Sequence, residues 1–388
     1  MTKELKDIFV KKFGAGGEIF AFFAPGRVNL IGEHTDYNGG HVFPCALTIG
    51  TYGIVRKRND RGLRFYSTNF EELGIIDSSL DDLRYCKEAD WTNYVKGVIH
   101  AFKEKGFEMN MGMDFLCSGT IPNKSGLSSS ASLEVLTSKI LIDLYGFNVN
   151  MIQAALFSQY AENHFVGVNC GIMDQFAIAM GKENNAIYLN TATLDYQYVP
   201  ANFAGLKIVI GNTNKSRGLG DSKYNERRSE CEAALEQICR VWPISSLGDL
   251  SSEKFEEVAA VIDPPTLRKR AKHAVYENER TIKAVEALKN NDLQQFGQLL
   301  NASHISLRDD YEVTGVELDT MVEAAWQQAG VIGSRMTGAG FGGCTVSLVE
   351  DDCVNQFIQN VGKAYQDKIG YAADFYVVEI GGGPKVLI

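Results

Sequence analysis

Apolar and polar positions along this chain repeat with two different periods, and together they predict interspersed helices and strands. Helical spacing of apolar residues predicts helices at 1–13, Trp91–Lys105, Ser129–Tyr145, Met151–His164, Ser222–Val241, Leu267–Lys289, Leu293–Leu307, Thr314–Ala329 and Val354–Ile369. Runs of β-branched and aromatic residues predict strands at Phe20–Ala24, Leu47–Arg58, Leu63–Ser67, Met111–Cys117, Leu206–Ile210, Thr345–Leu348 and Phe375–Ile380. Because strands and helices do not alternate regularly, the pattern favours an α+β fold over a doubly wound sheet.

The length of the chain predicts two domains. A chain of 388 residues exceeds the size of a single typical domain. A break in the pattern near Pro200–Gly205 places the boundary close to residue 200. We therefore expect one domain over residues 1–200 and a second over residues 201–388, with no linker of low complexity between them.

Composition excludes some classes of function. A net charge of −10 argues against nucleic acid as a partner, since phosphate backbones attract basic surfaces. No run is long and apolar enough to span a bilayer, and the N-terminus lacks the apolar core of a signal peptide. The eight cysteines form no CxxC pair and no zinc spacing, which is typical of reduced thiols. We expect a cytoplasmic protein that binds no membrane, and a monomer with no obligate protein partner.

The segment Gly26–Gly40 concentrates unusual chemistry in fifteen residues. Its sequence is GRVNLIGEHTDYNGG, which places Arg27, Glu33, His34 and Asp36 among glycines and turn formers. Carboxylates accept hydrogen bonds and imidazole can donate or accept them, so these side chains suit the hydroxyl groups of a sugar. The alternative, a polar turn, explains Asn38–Gly40 but not the arginine, the glutamate or the histidine.

A second motif combines glycine with consecutive serines at the start of a predicted helix. Ile121–Glu134 has the sequence IPNKSGLSSSASLE. The first turn of a helix leaves N–H groups unpaired and attracts anions, and serine hydroxyls can contact phosphate or Mg²⁺. An over-capped helix is the alternative, but one serine would suffice for a cap. Because the chain has no Walker A or protein-kinase signature, this would be a different kind of phosphate site.

A third glycine cluster, Thr337–Gly343, matches GxGxxG but does not predict a dinucleotide fold. A predicted strand follows the cluster, whereas a dinucleotide-binding turn is followed by a helix. We interpret the cluster as tight turns that support an active site.

Two carboxylates complete the set of candidates. Asp174 lies in an apolar stretch, where a carboxylate is expected to be paired or catalytic, or else to be a helix cap or a buried hydrogen-bonded acid. Glu162 lies near the end of a predicted helix and, taken alone, is equally compatible with a solvated helix residue.

These motifs resemble a known family. GRVNLIGEHTDYNGG is similar to the sugar-recognition signature of the galactokinases, a branch of the GHMP small-molecule kinases. The serine-rich segment resembles the phosphate loop of the same kinases, and the segments ENHFVGVNCGIMDQF and DSKYNER also match, in the family's order. The resemblance implies a two-domain α+β GHMP-kinase fold with the active site in the cleft between the domains. It also implies a ferredoxin-like core in the second domain, with the last strand able to pack against the first.

The resemblance further implies an ATP-dependent sugar kinase that uses MgATP to phosphorylate the anomeric hydroxyl of D-galactose. It implies catalytic roles for Asp174 and Arg27, sugar binding by Glu33, His34, Thr35, Asp36, Gly171 and Tyr224, nucleotide binding by Ser67, Trp91, Lys124, Ser125, Gly126, Leu127, Ser128, Ser129 and Ser130, and Mg²⁺ binding by Ser130 and Glu162.

Alternatives and one departure remain open at this point. Another GHMP kinase, such as an N-acetylgalactosamine, mevalonate or homoserine kinase, would share much of this pattern, as would a non-catalytic sugar sensor on the same fold. Lys124 and Ser125 stand where small residues are expected in the phosphate loop. The Lys124 side chain either points into solvent or folds back to the phosphates as a point charge.

Overall fold

The computed structural model describes residues 1–121, 126–215 and 220–387, and only the backbone of residues 220–222. The strands are β1 Phe20–Asn29, β2 His41–Val42, β3 Pro44–Lys57, β4 Gly62–Ser67, β5 Ile76–Ser79, β6 Met113–Gly119, β7 Asn185–Asn190, β8 Tyr196–Pro200, β9 Leu206–Asn212, β10 Val331–Thr337, β11 Cys344–Glu350, β12 Asp374–Val378 and β13 Lys385–Leu387. The helices are α1 Thr2–Phe13, α2 Thr92–Glu104, α3 Ser129–Tyr145, α4 Met151–Tyr160, α5 Met173–Ala179, α6 Gly220–Cys239, α7 Ser252–Val258, α8 Pro265–Lys289, α9 Leu293–Asp309, α10 Gly315–Trp326 and α11 Val354–Ile369. The predicted α+β class is confirmed.

The strands form three sheets. A six-stranded sheet has the order β13-β1-β3-β6-β4-β5, and its only parallel pair within the described residues is β4 with β6. A four-stranded antiparallel sheet has the order β10-β11-β9-β12, and β2, β7 and β8 form a third sheet. The chain returns to the first sheet at its end, because β13 pairs with β1 through Ala21 and Leu387. No helix of the described part is long and apolar enough to cross a membrane.

One predicted helix needs correction, and two short helices were not predicted. The helix predicted over Met151–His164 ends at Tyr160 and continues as a π-helical turn, Ala161–Val166, which contains Glu162. The prediction missed the short helices α5 and α7. A seven-residue helix has too few turns for its apolar periodicity to stand out from that of a loop.

The strand β10 was missed because its sequence, VIGSRMT, lacks the apolar alternation of an ordinary strand. Its polar side chains are buried and paired instead. The hydroxyl of Ser334 lies 2.8 Å from that of Ser347 on β11. The guanidinium of Arg335 donates hydrogen bonds to the carbonyls of Asn29 and Leu30, at 3.0 and 3.1 Å. These partners are distant in sequence, so the local pattern does not reveal them.

A second buried charge joins α8 to the loop after β1. The Glu277 carboxylate accepts hydrogen bonds from the backbone N–H groups of Gly32 and Glu33, at 3.1 and 3.3 Å, and from the Ser303 hydroxyl at 2.5 Å. Burial by itself raises the pKa of Glu277, but Arg280, His273 and Arg335 outweigh burial and lower this pKa to about 2. The ionised carboxylate therefore holds the Gly32–Glu33 backbone against the second half of the chain.

We expect Glu277→Gln to lower the free energy of unfolding by about 3 kcal/mol at pH 7, because it removes the negative partner of a buried ion pair and leaves the positive partner in place. Urea unfolding of parent and variant measures this difference. A carboxyl group whose pKa is lower in the folded protein stabilises the fold at pH values above its pKa in the unfolded chain. It loses this contribution as the pH falls through its pKa in the folded protein. The difference should therefore stay constant from pH 6 to 8 and shrink toward pH 2.

Glu286→Gln on the same helix is the control, since Glu286 pairs with Lys289 at the exposed surface, at 3.0 Å. Such a pair contributes about 0–1 kcal/mol. Equal effects of the two substitutions would contradict the role given to Glu277.

Candidate active site

A cavity of about 210 Å³ opens where the two halves of the chain meet. The loop after β1, the start of α3, the π-helical turn, the start of α5, helix α6 and the glycine cluster after β10 all contribute to its wall. The lining residues are Arg27, Glu33, His34, Asp36, Gly126, Ser128, Ser129, Ser130, Glu162, Val168, Cys170, Gly171, Met173, Asp174, Tyr224, Gly338, Ala339 and Gly340. Most residues predicted from separate motifs thus come together in one place.

Asp174 lies in the first turn of α5 and is held by Arg27. The guanidinium donates two parallel hydrogen bonds, from Nε to Oδ1 at 2.8 Å and from Nη2 to Oδ2 at 2.9 Å. Arg27 also donates to the Gly126 carbonyl at 2.6 Å. The Asp174 side chain keeps 30% of its surface exposed, whereas Arg27 keeps 4%. This geometry fixes the orientation of the carboxylate and leaves part of it open to the cavity.

Ser128 links the serine-rich segment to the same carboxylate. Its hydroxyl donates a hydrogen bond to Asp174 Oδ2. Its backbone has a φ of 62°, in the left-handed region that non-glycine residues seldom adopt. Such strain persists only where surrounding contacts hold it in place, and it is frequent at functional sites.

Asp36 is a half-buried carboxylate with little to neutralise it. Its Oδ1 accepts a hydrogen bond from the backbone N–H of Tyr37 at 3.0 Å, and Oδ2 accepts one from Met173 at 3.4 Å. Burial, followed by the negative charge of Asp174, raises the pKa of Asp36 to about 6. Donors from a ligand would therefore be favourable partners for the ionised group.

His34 presents a neutral imidazole ring to the cavity. Burial and the neighbouring His273 lower the pKa of His34 to about 3, so the ring is neutral above that pH. Nδ1 lies 2.7 Å from the Tyr37 hydroxyl, which in turn lies 2.7 Å from the Tyr311 hydroxyl. A hydrogen bond from the ring to the backbone of Ala339, another lining residue, raises the pKa of His34 but does not outweigh the lowering causes. A neutral imidazole can donate or accept a hydrogen bond, which suits a hydroxyl ligand.

Glu33 is an internal connector as well as a lining residue. Its two oxygens accept hydrogen bonds from the Gly338 N–H at 2.5 Å and from Asn29 Nδ2 at 2.6 Å. Arg335 lies 3.6 Å away. Glu33 is only 1% exposed. Its hydrogen bond with Gly338 connects the loop after β1 to the glycine cluster Thr337–Gly343. That cluster is followed by β11, which agrees with rejecting a dinucleotide fold.

The predicted residues Thr35 and Leu127 do not line the cavity. The Thr35 hydroxyl donates to the carbonyls of Gly32 and His41, at 2.9 and 2.7 Å, and so shapes the loop. The Leu127 side chain is fully buried in the hydrophobic core, and its carbonyl accepts the Arg27 N–H at 3.3 Å. Lys124 and Ser125 lie outside the described residues, so the alternatives for Lys124 stay predictions.

A second cavity of about 190 Å³ adjoins the start of α3 and includes Ser67 and Trp91. It shares Ser129 and Ser130 with the first cavity. Apolar and aromatic side chains form much of the rest of its wall, among them Phe70, Tyr94, Ile121 and Leu133. A flat apolar group linked to an anion at the α3 N-terminus would suit this pair of cavities.

Ser130 and Glu162 form an oxygen donor pair. The Ser130 side chain hydrogen-bonds to Glu162, which is 7% exposed. Burial and the charge of Asp174 raise the pKa of Glu162, so a cation here would stabilise the ionised form. Within the described ranges no three His, Cys, Asp or Glu side chains form a metal cluster. The pair therefore fits Mg²⁺, which prefers oxygen and takes its other ligands from water and phosphate.

Sequence reasoning missed several lining residues. Val168, Cys170, Met173 and Ala339 are apolar or weakly polar, and no local chemical signal marked them. Gly338 and Gly340 lay in a cluster that had been noticed but not assigned to individual contacts.

Comparison with known proteins gives family matches over most of the chain. Residues 7–57 match the galactokinase galactose-binding signature, residues 93–182 the GHMP kinases N terminal domain, and residues 284–367 the GHMP kinases C terminal model. The galactokinase of Clostridium acetobutylicum is 59% identical over 385 residues, covering 99% of this chain and 98% of that protein. The galactokinase of Bacillus subtilis is 56% identical over 387 residues, covering 100% and 99%.

Solved structures agree with these matches. The crystal structure of Lactococcus lactis galactokinase complexed with galactose covers all of both chains, at 50% identity and a TM-score of 0.98. A mevalonate kinase from Methanococcus jannaschii has a TM-score of 0.68 at 17% identity, covering 95% of this chain and 99% of that one, which shows a shared fold alone.

We expect the Asp36 carboxyl to titrate near pH 6 in the protein without ligands. Carbon-13 NMR of the labelled carboxyl measures this pKa directly. In Asp174→Asn the pKa should fall, because the second-largest cause of the shift is gone, but it should stay above 3.8 because burial is the largest cause. A pKa near 3.8 in the parent would contradict the buried environment described here.

Proposed function

This chain belongs to the galactokinase family of GHMP kinases, and from that membership we propose that it transfers the γ-phosphate of MgATP to the anomeric hydroxyl of D-galactose, giving galactose 1-phosphate. The observation that carries the proposal is the Asp174 carboxylate. It is paired with Arg27, yet it remains partly open to a cavity that also contains the loop after β1 and the start of α3.

Asp174 and Arg27 act on the reacting groups. Asp174 accepts or orients the proton of the attacking hydroxyl, and the neighbouring guanidinium holds the carboxylate in place. Arg27 also supplies positive charge close to the transferring group. Because phosphoryl transfer has a loose transition state, positioning and charge stabilisation matter more than full removal of the proton.

The nucleotide occupies the two adjoining cavities. Its phosphates lie at the N-terminus of α3, beside Gly126 and Ser128–Ser130, where free N–H groups and the helix dipole favour anions. Its base enters the cavity of Ser67 and Trp91. Ser130 and Glu162 would hold Mg²⁺, which when bound neutralises charge on the phosphate oxygens.

The sugar is bound by the loop after β1 together with Tyr224 of α6 and Gly171. Asp36 supplies an acceptor and His34 a neutral imidazole at the cavity wall. A Cβ atom at position 171 would come within 1.9 Å of Asp36 Oδ2, so only glycine leaves this carboxylate in place. Glu33 lines the same cavity while holding the glycine cluster.

We also propose a cytoplasmic monomer. All eight cysteines fall within the described ranges and are free, which suits a reducing compartment.

The proposed function is tested by a coupled assay of ADP release with galactose, glucose and N-acetylgalactosamine. Rapid turnover with galactose supports the proposal. Preference for N-acetylgalactosamine would assign a different sugar kinase. Binding of galactose without ADP release would assign a sensor.

We expect Asp174→Ala to lower kcat by ~10²–10⁴-fold, because a positioned acid–base group typically contributes this much. ATP affinity, measured by calorimetry, should stay close to that of the parent. Since the substitution leaves Arg27 buried without its partner, the isosteric Asp174→Asn is made in parallel, and circular dichroism checks the fold of both. Turnover within a few-fold of the parent in both variants would make Asp174 a structural residue.

We expect the parent to prefer galactose over glucose on the order of 10³-fold in kcat/KM, because the epimer leaves buried hydrogen-bonding groups unpaired. Asp36→Asn and Tyr224→Phe should each reduce this ratio by about tenfold, the loss of one hydrogen bond to a charged or buried group. Tyr198→Phe is the control, because the Tyr198 hydroxyl donates to the Met180 carbonyl and lies outside the cavity lining. Comparable use of glucose by the parent would rule out the assignment.

A further inference from the structure

Gln175 is a fully buried amide that directly follows Asp174, and the proposed reaction does not use it. Its Nε2 lies 2.7 Å from Glu162 Oε2 and 3.0 Å from Glu134 Oε2. Gln175 and Glu134 have no exposed surface. One nitrogen thus donates its two hydrogens to two different carboxyl groups.

The direction of this amide follows from charge. If the amide were rotated by 180°, Oε1 would face the two carboxyl groups and both hydrogen bonds from Nε2 would be lost. In the observed direction Oε1 is buried without a partner among the described residues. An unsatisfied buried oxygen costs stability, so the gain from holding both carboxyl groups must offset that cost.

We propose that Gln175 is a positioning residue for the cation site: it holds Oε2 of Glu162 against Glu134 and keeps the Glu162 carboxyl beside Ser130. The inference rests on the proposed function, since the cation is the one that accompanies ATP. Glu134 is the anchor of this arrangement, because it lies on α3 one turn after Ser130. Ser130 itself hydrogen-bonds to Glu162. The Glu162 carboxyl group is therefore both the partner of Gln175 and one member of the oxygen donor pair.

The position of Gln175 on α5 joins two functions. Successive side chains of a helix point about 100° apart. Asp174 therefore points to Arg27 and Ser128, while Gln175 points to Glu162 and Glu134. A helix of seven residues thus carries Asp174, which faces the hydroxyl, and Gln175, which orients the Glu162 carboxyl that would hold the cation. Residues that orient a metal ligand typically change metal affinity 10–100-fold when they are removed.

The test uses Gln175→Met, which keeps a similar length and removes both N–H donors. The probe is Mn²⁺, added to enzyme that is saturated with ADP and galactose, and free Mn²⁺ is measured by electron paramagnetic resonance. We expect the affinity for Mn²⁺ to fall about tenfold. In steady-state assays the Mg²⁺ concentration for half-maximal activity should rise similarly, while kcat recovers at high Mg²⁺ and galactose affinity stays within about twofold.

Ser138→Ala is the matched control on α3. It removes another fully buried side-chain hydrogen bond, from Ser138 to Ser158 on α4 at 2.9 Å, one turn after Glu134. This variant should bind Mn²⁺ like the parent. A second variant, Glu134→Met, removes both acceptor oxygens of the anchoring residue and should weaken Mn²⁺ binding in the same direction, which keeps the test open if Gln175→Met fails to fold.

The outcomes separate the two proposals. A parent protein that does not phosphorylate galactose refutes the proposed function. An active parent, together with a folded Gln175→Met or Glu134→Met variant that binds Mn²⁺ within about twofold of the parent, refutes only the positioning role. Equal weakening in Ser138→Ala would likewise refute it, because the effect would then be a general loss of stability.

Discussion

The structure depends on two buried charged side chains of the second half of the chain, Glu277 and Arg335. Both form hydrogen bonds to backbone groups of the first half. Glu277 accepts the N–H groups of Gly32 and Glu33, and Arg335 donates to the carbonyls of Asn29 and Leu30. Donors and acceptors of one short segment are thus satisfied by opposite charges from α8 and β10. Because both charged groups are buried, their removal would leave uncompensated charge and free backbone groups together. The loop that lines the cavity has its shape because of these contacts.

The electrostatics of the cavity follow from an unequal distribution of cations. Asp36, Glu162 and Asp174 lie close enough to affect one another, but only Asp174 has a guanidinium partner. The pKa values of the other two carboxyl groups are raised by burial and by Asp174. Hydrogen-bond donors would therefore favour the ionised form of Asp36, and a cation would favour that of Glu162. Under the proposed function, sugar hydroxyls supply the donors and Mg²⁺ supplies the cation.

The two short elements that hold the carboxylates explain how these groups are kept apart. The π-helical turn carries Glu162, and α5 carries Asp174 and Gln175. Bulges of the π type often occur at functional sites because they re-aim a side chain within a helix. Here the turn brings Glu162 into the same buried cluster as Glu134, while Asp174 faces the other way toward Arg27. Two acidic groups with different tasks are thus separated by an amide and a guanidinium.

The sequence alone determined the long helices, the α+β class and the motifs whose chemistry is local. Arg27, His34, Asp36 and the consecutive serines stand out because their types do not suit an ordinary turn or cap. The tertiary structure alone decided what each group meets, including the burial of Thr35 within its own loop and the pairing of Gln175 with Glu134. It also decided the strand β10, whose polar residues are satisfied by partners elsewhere in the chain. The reason is physical: burying a polar group is favourable only with a partner, and a local pattern of residues does not record which distant atom that partner is.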